Sequence, residues 1–401
     1  MQFRKDALSG NRLSVLGFGC MRFPRSFGVI DMQKTETLIM EAVRGGVNYF
    51  DTAYIYPGSE EALGSILEKN RVRDKVYIAA KLPLVICRGS GDFDRFFNKE
   101  LERLHTGYID YYLMHMITDG DLWKKFQSWG IEDWLAEKKQ AGQIRRAGFS
   151  FHGSRDEFLR VLDMYDWEFV QIQYNYSDEN FQAGVTGLRK AAAKGLPVII
   201  MEPLLGGKLA RGLPREAEET FKRANPAWSP AAWAFRWLWS QEEVTVVLSG
   251  MNEGRQLAEN LAVAETALPG CVGPEEADVY RRVIGIFNRS YRIRCTGCNY
   301  CMPCPHNVNI PGCFAAYNTA CSLGFVQGMQ QYVTSTAPTS ERTSGPGLCV
   351  KCGKCEKHCP QHIPIIRSLA TVRNRMEPVW IRWAIPLIRF VLGKARPKSP
   401  A

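Results

Sequence analysis

Residues 76–115 contain two apolar runs, Val-Tyr-Ile-Ala-Ala-Lys-Leu (76–82) and Tyr-Ile-Asp-Tyr-Tyr-Leu-Met-His (108–115), separated by a helix-like segment, Asp92 to Leu104. This pattern predicts two parallel strands joined by a helical crossover. The same alternation extends from residue 13 to about 265 and contains eight apolar runs. Eight such units over roughly 250 residues are typical of a closed (β/α)8 TIM barrel of the α/β class. No Gly-x-Gly-x-x-Gly turn follows the first run, which disfavours an open dinucleotide-binding sheet.

The predicted elements follow from these runs. The strands are Leu13 to Met21, Val47 to Ala53, Val76 to Leu82, Tyr108 to His115, Ile144 to Phe151, Phe169 to Tyr174, Pro197 to Glu202 and Val244 to Gly250. The helices include Asp31 to Arg44, Ser59 to Lys69, Asp92 to Leu104, Ile131 to Gln140, Ser154 to Met164 and Gln256 to Ala264. Several of them open with Ser or Asp, residues that cap helix N-termini.

Eight of the 13 cysteines form two short runs late in the chain. They are Cys295, Cys298, Cys301 and Cys304, followed by Pro305, and Cys349, Cys352, Cys355 and Cys359, followed by Pro360. Bacterial ferredoxins hold [4Fe-4S] clusters with this spacing, and the fourth cysteine of each run ligates the other cluster. We therefore predict one cluster on Cys295, Cys298, Cys301 and Cys359, and a second on Cys349, Cys352, Cys355 and Cys304.

Zinc and disulfides are the alternatives for these cysteines. Four-cysteine zinc sites usually take two close pairs separated by a long loop. Eight thiols in two short loops suit thiolate ligation in a reducing cytosol better than disulfides, so we expect a cytoplasmic protein. The remaining cysteines are interpreted as small buried apolar residues; they are Cys20, Cys87, Cys271, Cys313 and Cys321.

The chain divides into three predicted segments. Residues 1–275 form the barrel, residues 276–375 a mainly helical, two-cluster ferredoxin-like domain, and residues 376–401 a basic, apolar tail. Two helices are expected near Gly312 to Leu323 and Phe325 to Val333. Seven Lys/Arg and one Glu follow Thr371 around an apolar string. The tail either contacts a membrane surface or a partner, or packs on its own protein.

The composition argues against several classes of protein. The 401 residues carry a formal charge of +10, which two clusters of about −2 each would reduce to roughly +6. No basic stripe interleaved with aromatic residues is present, so nucleic-acid binding is not expected. We expect no secretory signal, because Met1 to Gly10 lacks an apolar run, and no membrane-spanning segment.

Polar residues close three consecutive predicted strands. They are Asp51, Lys81 and His115, and Tyr56 follows Asp51 by five residues. Active sites of such barrels lie at the carboxyl ends of the strands. Charged groups there are costly unless paired, so we predict an Asp51–Lys81 pair beside the Tyr56 phenol. Lys81 would stabilise the phenolate and make Tyr56 a proton donor near neutral pH.

In these residues and their order the chain resembles the aldo-keto reductase family, over about residues 1–265. The likeness includes Gly17-Phe-Gly, Gly148-Phe-Ser150, Gln171-Ile-Gln-Tyr-Asn175 and Glu259-Asn260. With the cysteine domain, the chain resembles the ferredoxin-fused branch of that family. The resemblance implies that Tyr56 is the general acid/base, that Lys81 and Asp51 tune it, and that His115 orients the carbonyl. It also implies that Ser150 and Gln171 hold the nicotinamide carboxamide, and that Glu259 and Asn260 hold the adenine.

Three positions depart from the pattern of these reductases. Phe151 replaces an Asn after the serine, Met201 replaces a Tyr that stacks on the nicotinamide, and Gly250-Met251 replaces a Lys-Ser pair that grips the 2′-phosphate of NADP. Because glycine cannot pair with a phosphate, NADPH preference is not expected. NADH, or a flavin bound at the same phosphate end of the barrel, is then an alternative.

The leading functional hypothesis is an iron-sulfur oxidoreductase acting on a small carbonyl or alcohol substrate. Its clusters would exchange electrons with a ferredoxin-like or other electron-transfer protein. Clusters move single electrons whereas nicotinamides carry hydride, so coupling the two requires a species that does both, and a flavin would serve. Without a flavin, the clusters would be structural or would sense redox state. The alternative is a non-catalytic electron-transfer or redox-sensing subunit that uses the barrel as a scaffold.

Overall fold

The computed structural model describes residues 1–177, 179–266, 268–322, 324–336, 343–378 and 381. They form two compact units: Met1–Leu205 with Phe221–Tyr280, and Gly206–Thr220 with the described residues from Arg281 onward. The predicted domain boundaries at 275 and 375 stay predictions. Within the described ranges, no helix combines the length and apolar character needed to cross a bilayer.

The first unit contains a closed barrel of eight parallel strands, which confirms the predicted fold. The strands are β1 (Leu16–Gly19), β2 (Tyr49–Asp51), β3 (Tyr77–Leu82), β4 (Ile109–Ile117), β5 (Ile144–Phe151), β6 (Phe169–Gln173), β7 (Val198–Met201) and β8 (Val244–Ser249). Each strand pairs with its neighbours in sequence, and β8 closes the barrel on β1 by pairing Val247 with Leu16. Two small antiparallel hairpins flank β1, Phe3–Lys5 with Arg12–Ser14 and Arg25–Ser26 with Val29–Ile30.

Helices alternate with these strands. They are α1 (Met32–Arg44), α2 (Ser59–Lys69), α3 (Gly91–Arg103), α4 (Gly120–Gln127), α5 (Ile131–Gln140), α6 (Arg155–Leu162), α7 (Gly184–Ala193), α8 (Lys208–Arg211), α9 (Arg215–Ala224), α10 (Pro230–Trp239), α11 (Gly254–Thr266) and α12 (Pro274–Ser290). Polar caps fix their starts as predicted, since the Asp31 and Ser154 side chains accept from the amides of Lys34 and Glu157. Helices α2 and α5 have the predicted bounds.

Strand periodicity divides the residues of the barrel between its two faces. Tyr49, Ala79, Leu113 and Phe169 belong to one buried cluster, while their neighbours in the strands, such as Phe50, belong to the larger core. Side chains two residues apart share a face of a strand. The interior-facing residues therefore predict which side chains reach the carboxyl-terminal end of the barrel from inside.

The second unit is mainly helical. Its remaining helices are α13 (Ile310–Ser322), α14 (Phe325–Thr336), α15 (Lys354–Lys357) and α16 (Ile365–Met376). The first two lie where the sequence predicted helices. Val308, Phe314, Tyr332, Val372 and Met376 are buried in its core. The predicted tail lies outside the described residues, apart from 376–378 and 381.

Candidate active site and cysteine-lined cavity

Four polar residues enter the barrel interior at one end. Asp51, Lys81, His115 and Gln171 each stand two positions after an interior-facing strand residue, namely Tyr49, Ala79, Leu113 and Phe169. Because the strands are parallel, these positions come together at the carboxyl-terminal end.

The Asp51 and Lys81 side chains form a buried ion pair. Lys81 Nζ lies 2.5 Å from Asp51 Oδ1 and donates a second bond to the Thr52 carbonyl at 2.6 Å. Their side chains are only 6% and 1% exposed, respectively. Removing one partner from such a pair leaves a buried charge without compensation, so each residue depends on the other.

Tyr56 lies beside this pair and beside His115. Lys81 Nζ is 5.1 Å from the centre of the Tyr56 ring, and the His115 ring stands edge-on to it at 6.2 Å and 84°. Tyr56 is half-buried, in the loop between β2 and α2. The structure thus brings together all four residues that the sequence singled out as catalytic.

A β-bulge aims His115. The pairing of β4 with β5 shifts register between Met114 and Ile117, and Met116 has a positive φ of 62°. Bulges of this kind re-aim side chains next to active sites. The Ser150 hydroxyl accepts from the Met116 amide at 2.9 Å and so supports the bulge.

His115 is held as a neutral imidazole. Burial lowers the pKa of His115 well below its usual value, and the charges of Lys81 and His152 act in the same direction. Its Nδ1 is buried and has no hydrogen-bond partner among the described residues. A neutral ring at this position can hydrogen-bond a substrate oxygen without carrying charge.

Sequence reasoning missed two neighbours of this site. His152 is buried directly after β5, and its charge contributes to the lowered pKa of His115. Cys20, at the end of β1, is fully buried; burial and the charge of Asp51 raise the pKa of its thiol. Both residues directly follow a strand, and this position was the sequence signal that could have indicated them. Their distance from the catalytic residues, however, depends on how the barrel closes.

Three of the four predicted cofactor-binding residues, Ser150, Gln171 and Asn260, already have partners within the protein. Gln171 Nε2 donates to Asp51 Oδ2 at 2.7 Å, and Asn260 Nδ2 donates to Ser249 Oγ at 3.1 Å. Glu259 is half-buried on α11. The nucleotide-binding roles assigned to these residues and to Ser150 stay predictions.

Comparison with known proteins identifies the family. Residues 15–270 match the model of the Aldo/keto reductase family. The chain belongs to this family. An L-galactose dehydrogenase from Arabidopsis thaliana is 29% identical over 65% of this aldo/keto reductase and 88% of the relative. An NADH-specific methylglyoxal reductase from Escherichia coli is 24% identical over 62% and 89%.

A solved structure agrees with the fold. An aldo-keto reductase from Bacillus halodurans, in its holo form, superimposes with a TM-score of 0.57 at 23% identity, over 71% of this chain and 96% of that one. The family match ends at residue 270, so the cysteine-rich segment of this aldo/keto reductase lies beyond it.

The second unit contains a cysteine-lined cavity that is partly open to solvent. Its lining includes Cys295, Cys298, Cys301 and Cys359, together with apolar side chains such as Phe314. These are the four residues predicted from the spacing to ligate one cluster, three from the first run and one from the second.

The cavity suits thiolate ligands that are neutralised by a metal group. Burial raises the pKa of Cys295 to about 11 and that of Cys301 to about 12, and the nearby thiols of Cys298 and Cys359 contribute in the same direction. Ionising them together therefore requires a compensating positive charge. The Thr296 hydroxyl in the lining is buried without a hydrogen-bond partner among the described residues, and could donate to a sulfur acceptor.

Gly206 lets the chain pass close to this cavity. It has a φ of +65°, and a Cβ there would lie 2.1 Å from the Thr296 carbonyl oxygen. Any other residue would clash with the backbone next to Cys295. The segment 206–220 therefore packs in the second unit, which the sequence did not indicate.

The second predicted cluster site is less enclosed. Cys349 and Cys355 interact electrostatically and both pack against the core of the second unit, as does Cys304. Cys352 is exposed. Among the described residues, no three Cys, His, Asp or Glu side chains form a group that could hold a single metal ion.

Proposed function

We propose that this aldo/keto reductase transfers hydride between a nicotinamide and a small carbonyl or alcohol, with Tyr56 as the proton donor and acceptor. The observation that carries the proposal is the convergence of Tyr56, His115 and the Asp51–Lys81 pair at one end of the barrel. Family membership supports the same reaction class.

Each residue has a physical role in that reaction. The Lys81 ammonium stabilises negative charge on the Tyr56 phenolate when the proton leaves, and Asp51 holds that ammonium in place. Neutral His115 hydrogen-bonds the substrate oxygen and orients the carbonyl towards the phenol. A bound nicotinamide would supply or accept the hydride.

NADH is the nicotinamide that the residues favour. Gly250 is exposed and offers no side chain for a 2′-phosphate, and one relative is named for its NADH specificity. Arg22 is the exposed cation beside this position, since a Cβ on Gly250 would lie 3.2 Å from its Cδ. If NADH is preferred, Arg22→Ala should leave the ratio of KM for NADH to KM for NADPH unchanged; a ratio that shifts towards NADH in the variant would mean that this guanidinium binds the 2′-phosphate.

We further propose that the second unit holds two [4Fe-4S] clusters that exchange electrons with a protein partner. The cavity lined by Cys295, Cys298, Cys301 and Cys359 supports the first cluster, because the pairing across the two runs was predicted from spacing alone. The exposed Cys352 would bring the second cluster close to the surface.

The barrel chemistry is tested with Tyr56→Phe. The variant should lose at least about 100-fold in kcat while its cluster absorbance is unchanged, since a positioned proton donor contributes 10²- to 10⁴-fold. Tyr54→Phe is the matched control: its ring packs on Phe96 and Arg103, and its activity should persist. Unchanged turnover in Tyr56→Phe would overturn the mechanism in which this phenol donates and accepts the proton.

The clusters are tested by anaerobic purification with iron and sulfide assays and electron paramagnetic resonance. We expect eight iron and eight labile sulfide atoms per chain, about four of each for every cubane. Colourless protein that contains zinc would overturn the two proposed clusters and leave the proposed chemistry of the barrel untouched. Mass spectrometry of released small molecules would show whether a flavin is present to link one-electron and hydride chemistry.

A further inference from the structure

The surface around Cys352 carries exposed charges of one sign. Between residues 343 and 378 the exposed Lys and Arg side chains are Lys351, Lys354, Lys357, Arg367, Arg373 and Arg375. The acidic residues of that range, Glu356 and Glu377, are not exposed. Glu356 Oε1 accepts from the Ile366 amide at 2.8 Å, and Glu377 Oε1 accepts from Tyr332 at 2.5 Å. Both carboxylates are therefore engaged within the unit.

Local geometry gathers four of these cations, and we call Lys351, Lys354, Lys357 and Arg367 the basic rim. Lys354 and Lys357 are three residues apart on α15, and so share one face of that turn. The bond between Glu356 and Ile366 ties α15 to the start of α16, next to Arg367. Lys351 directly precedes Cys352.

Two exposed apolar side chains lie close to Cys352 in the sequence. Leu348 is 36% exposed and Val350 is 58% exposed, and both lie within four residues of Cys352. An apolar centre with a charged rim is the usual anatomy of a protein interface. Uniform positive charge on the rim favours and steers an acidic partner.

We propose that the basic rim, with Leu348 and Val350, docks a small acidic electron-transfer protein. This inference rests on the proposed cluster at Cys349, Cys352 and Cys355. One electron would pass from the reduced cofactor of the partner to the cluster that these cysteines would hold; the partner would be oxidised by one electron, and no bond or proton would move. The exposed Cys352 keeps the transfer distance short.

A protein fits this surface better than an anionic membrane. Cationic patches also attract anionic lipids. Membrane-surface binding, however, uses an amphipathic helix that buries an apolar face, whereas α15 has four residues and exposes two lysines. Between residues 343 and 378 the exposed large apolar side chains are Leu348 and Val350, an area that suits a small docking contact.

The test uses two triple charge reversals in the holoprotein. The rim triple is Lys354→Glu, Lys357→Glu and Arg367→Glu. The control triple is Lys5→Glu, Lys75→Glu and Lys190→Glu, three exposed lysines of the first unit. Both change the net charge equally, so a difference between them reports position rather than total charge.

The probe is photoreduced flavodoxin at low salt, followed by stopped-flow absorbance of the clusters. We expect the rim triple to lower the second-order rate constant at least about tenfold and to flatten its salt dependence. The control triple should change it less than about twofold. Photoreduced deazariboflavin, an uncharged reductant, should reduce all three proteins alike. Equal losses in both triples, or a loss in neither, would overturn the docking surface.

Two further measurements separate the failure of the docking inference from other outcomes. One tests whether the clusters exist, and the other tests whether the surface binds lipid. Iron and sulfide content shows whether the clusters exist; if they do not, the proposed function fails, and calorimetric titration with oxidised flavodoxin still tests docking. Sedimentation with phosphatidylserine vesicles tests the membrane. If only vesicle binding is lost in the rim triple, the surface binds lipid and the protein-docking inference is wrong.

Discussion

Lys81 Nζ lies 2.5 Å from Asp51 Oδ1 inside the barrel, with both side chains almost fully buried. Asp51→Asn keeps the shape of the side chain but leaves the ammonium without its counter-ion. We expect a loss of about 3–5 kcal/mol in the free energy of unfolding, measured by urea denaturation.

The surface pair of Lys69 and Glu36 provides the matched control for this change. Its Nζ to Oε2 distance is 2.7 Å, but the lysine is 69% exposed. Glu36→Gln should cost less than about 1 kcal/mol, because water screens the pair. Similar losses of unfolding free energy in Asp51→Asn and Glu36→Gln would show that the buried ammonium of Lys81 does not require Asp51 as its counter-ion.

Acid should destabilise the barrel through His115. Burial lowers the pKa of His115 in the folded state. Below about pH 6.5 the unfolded chain therefore binds more protons than the folded chain, and the free energy of unfolding decreases as the pH decreases. His115→Asn should reduce that slope by up to about 1.4 kcal/mol per pH unit, the value for one proton. Denaturation midpoints between pH 5 and 7 provide the measurement.

The exposed His105 is the reference for that experiment. His105→Asn removes a histidine from the surface of the same unit, where it contacts Glu68 at 2.6 Å. This variant controls for the loss of one exposed histidine from the same unit. An unchanged slope in His115→Asn would mean that this imidazole becomes protonated as readily in the folded as in the unfolded chain.

The residues that could be predicted from sequence were those whose pattern is local. Period-two strands and capped helices placed Asp51, Lys81 and His115 at strand ends, and the spacing of the cysteines predicted that Cys359 joins the first run. Contacts that depend on barrel closure could not be read in this way. They include the bond from Gln171 to Asp51, formed by residues on β6 and β2.

A buried carboxyl pair behind the active site was also hidden from sequence. Burial raises the pKa of both Glu60 and Glu100, and the charge of Glu60 raises that of Glu100 further. Tyr112 donates to Glu100 Oε2 at 2.6 Å, and the backbone amide of Lys81 also donates to Glu100. Neither glutamate is at a strand end, so only the packing of α2 against α3 reveals the pair.

This pair predicts a pH dependence opposite in sign to that of His115. Because the folded-state pKa of Glu100 is raised, its stabilising contribution is complete below about pH 4.3 and is lost as pH rises. Glu100→Gln removes the titratable carboxyl group but keeps a side chain that can form hydrogen bonds. The stability of the variant relative to the parent should therefore increase from pH 5 to pH 9, as measured by urea midpoints. Glu102→Gln, exposed on the same helix, should show no such trend.

Iron stoichiometry should report which cysteines share a cluster. Cys359 lies in the cavity with Cys295, Cys298 and Cys301, so Cys359→Ala should remove about half of the iron and sulfide and spare the second cluster. Cys313→Ala is the matched control, because this thiol is buried in the core of the same unit and is not among the predicted ligands. Full iron in Cys359→Ala, or equal loss in both variants, would contradict the pairing across the two runs. Loss of half the iron in Cys304→Ala, with the first cluster retained in electron paramagnetic resonance, would complete the reciprocal assignment.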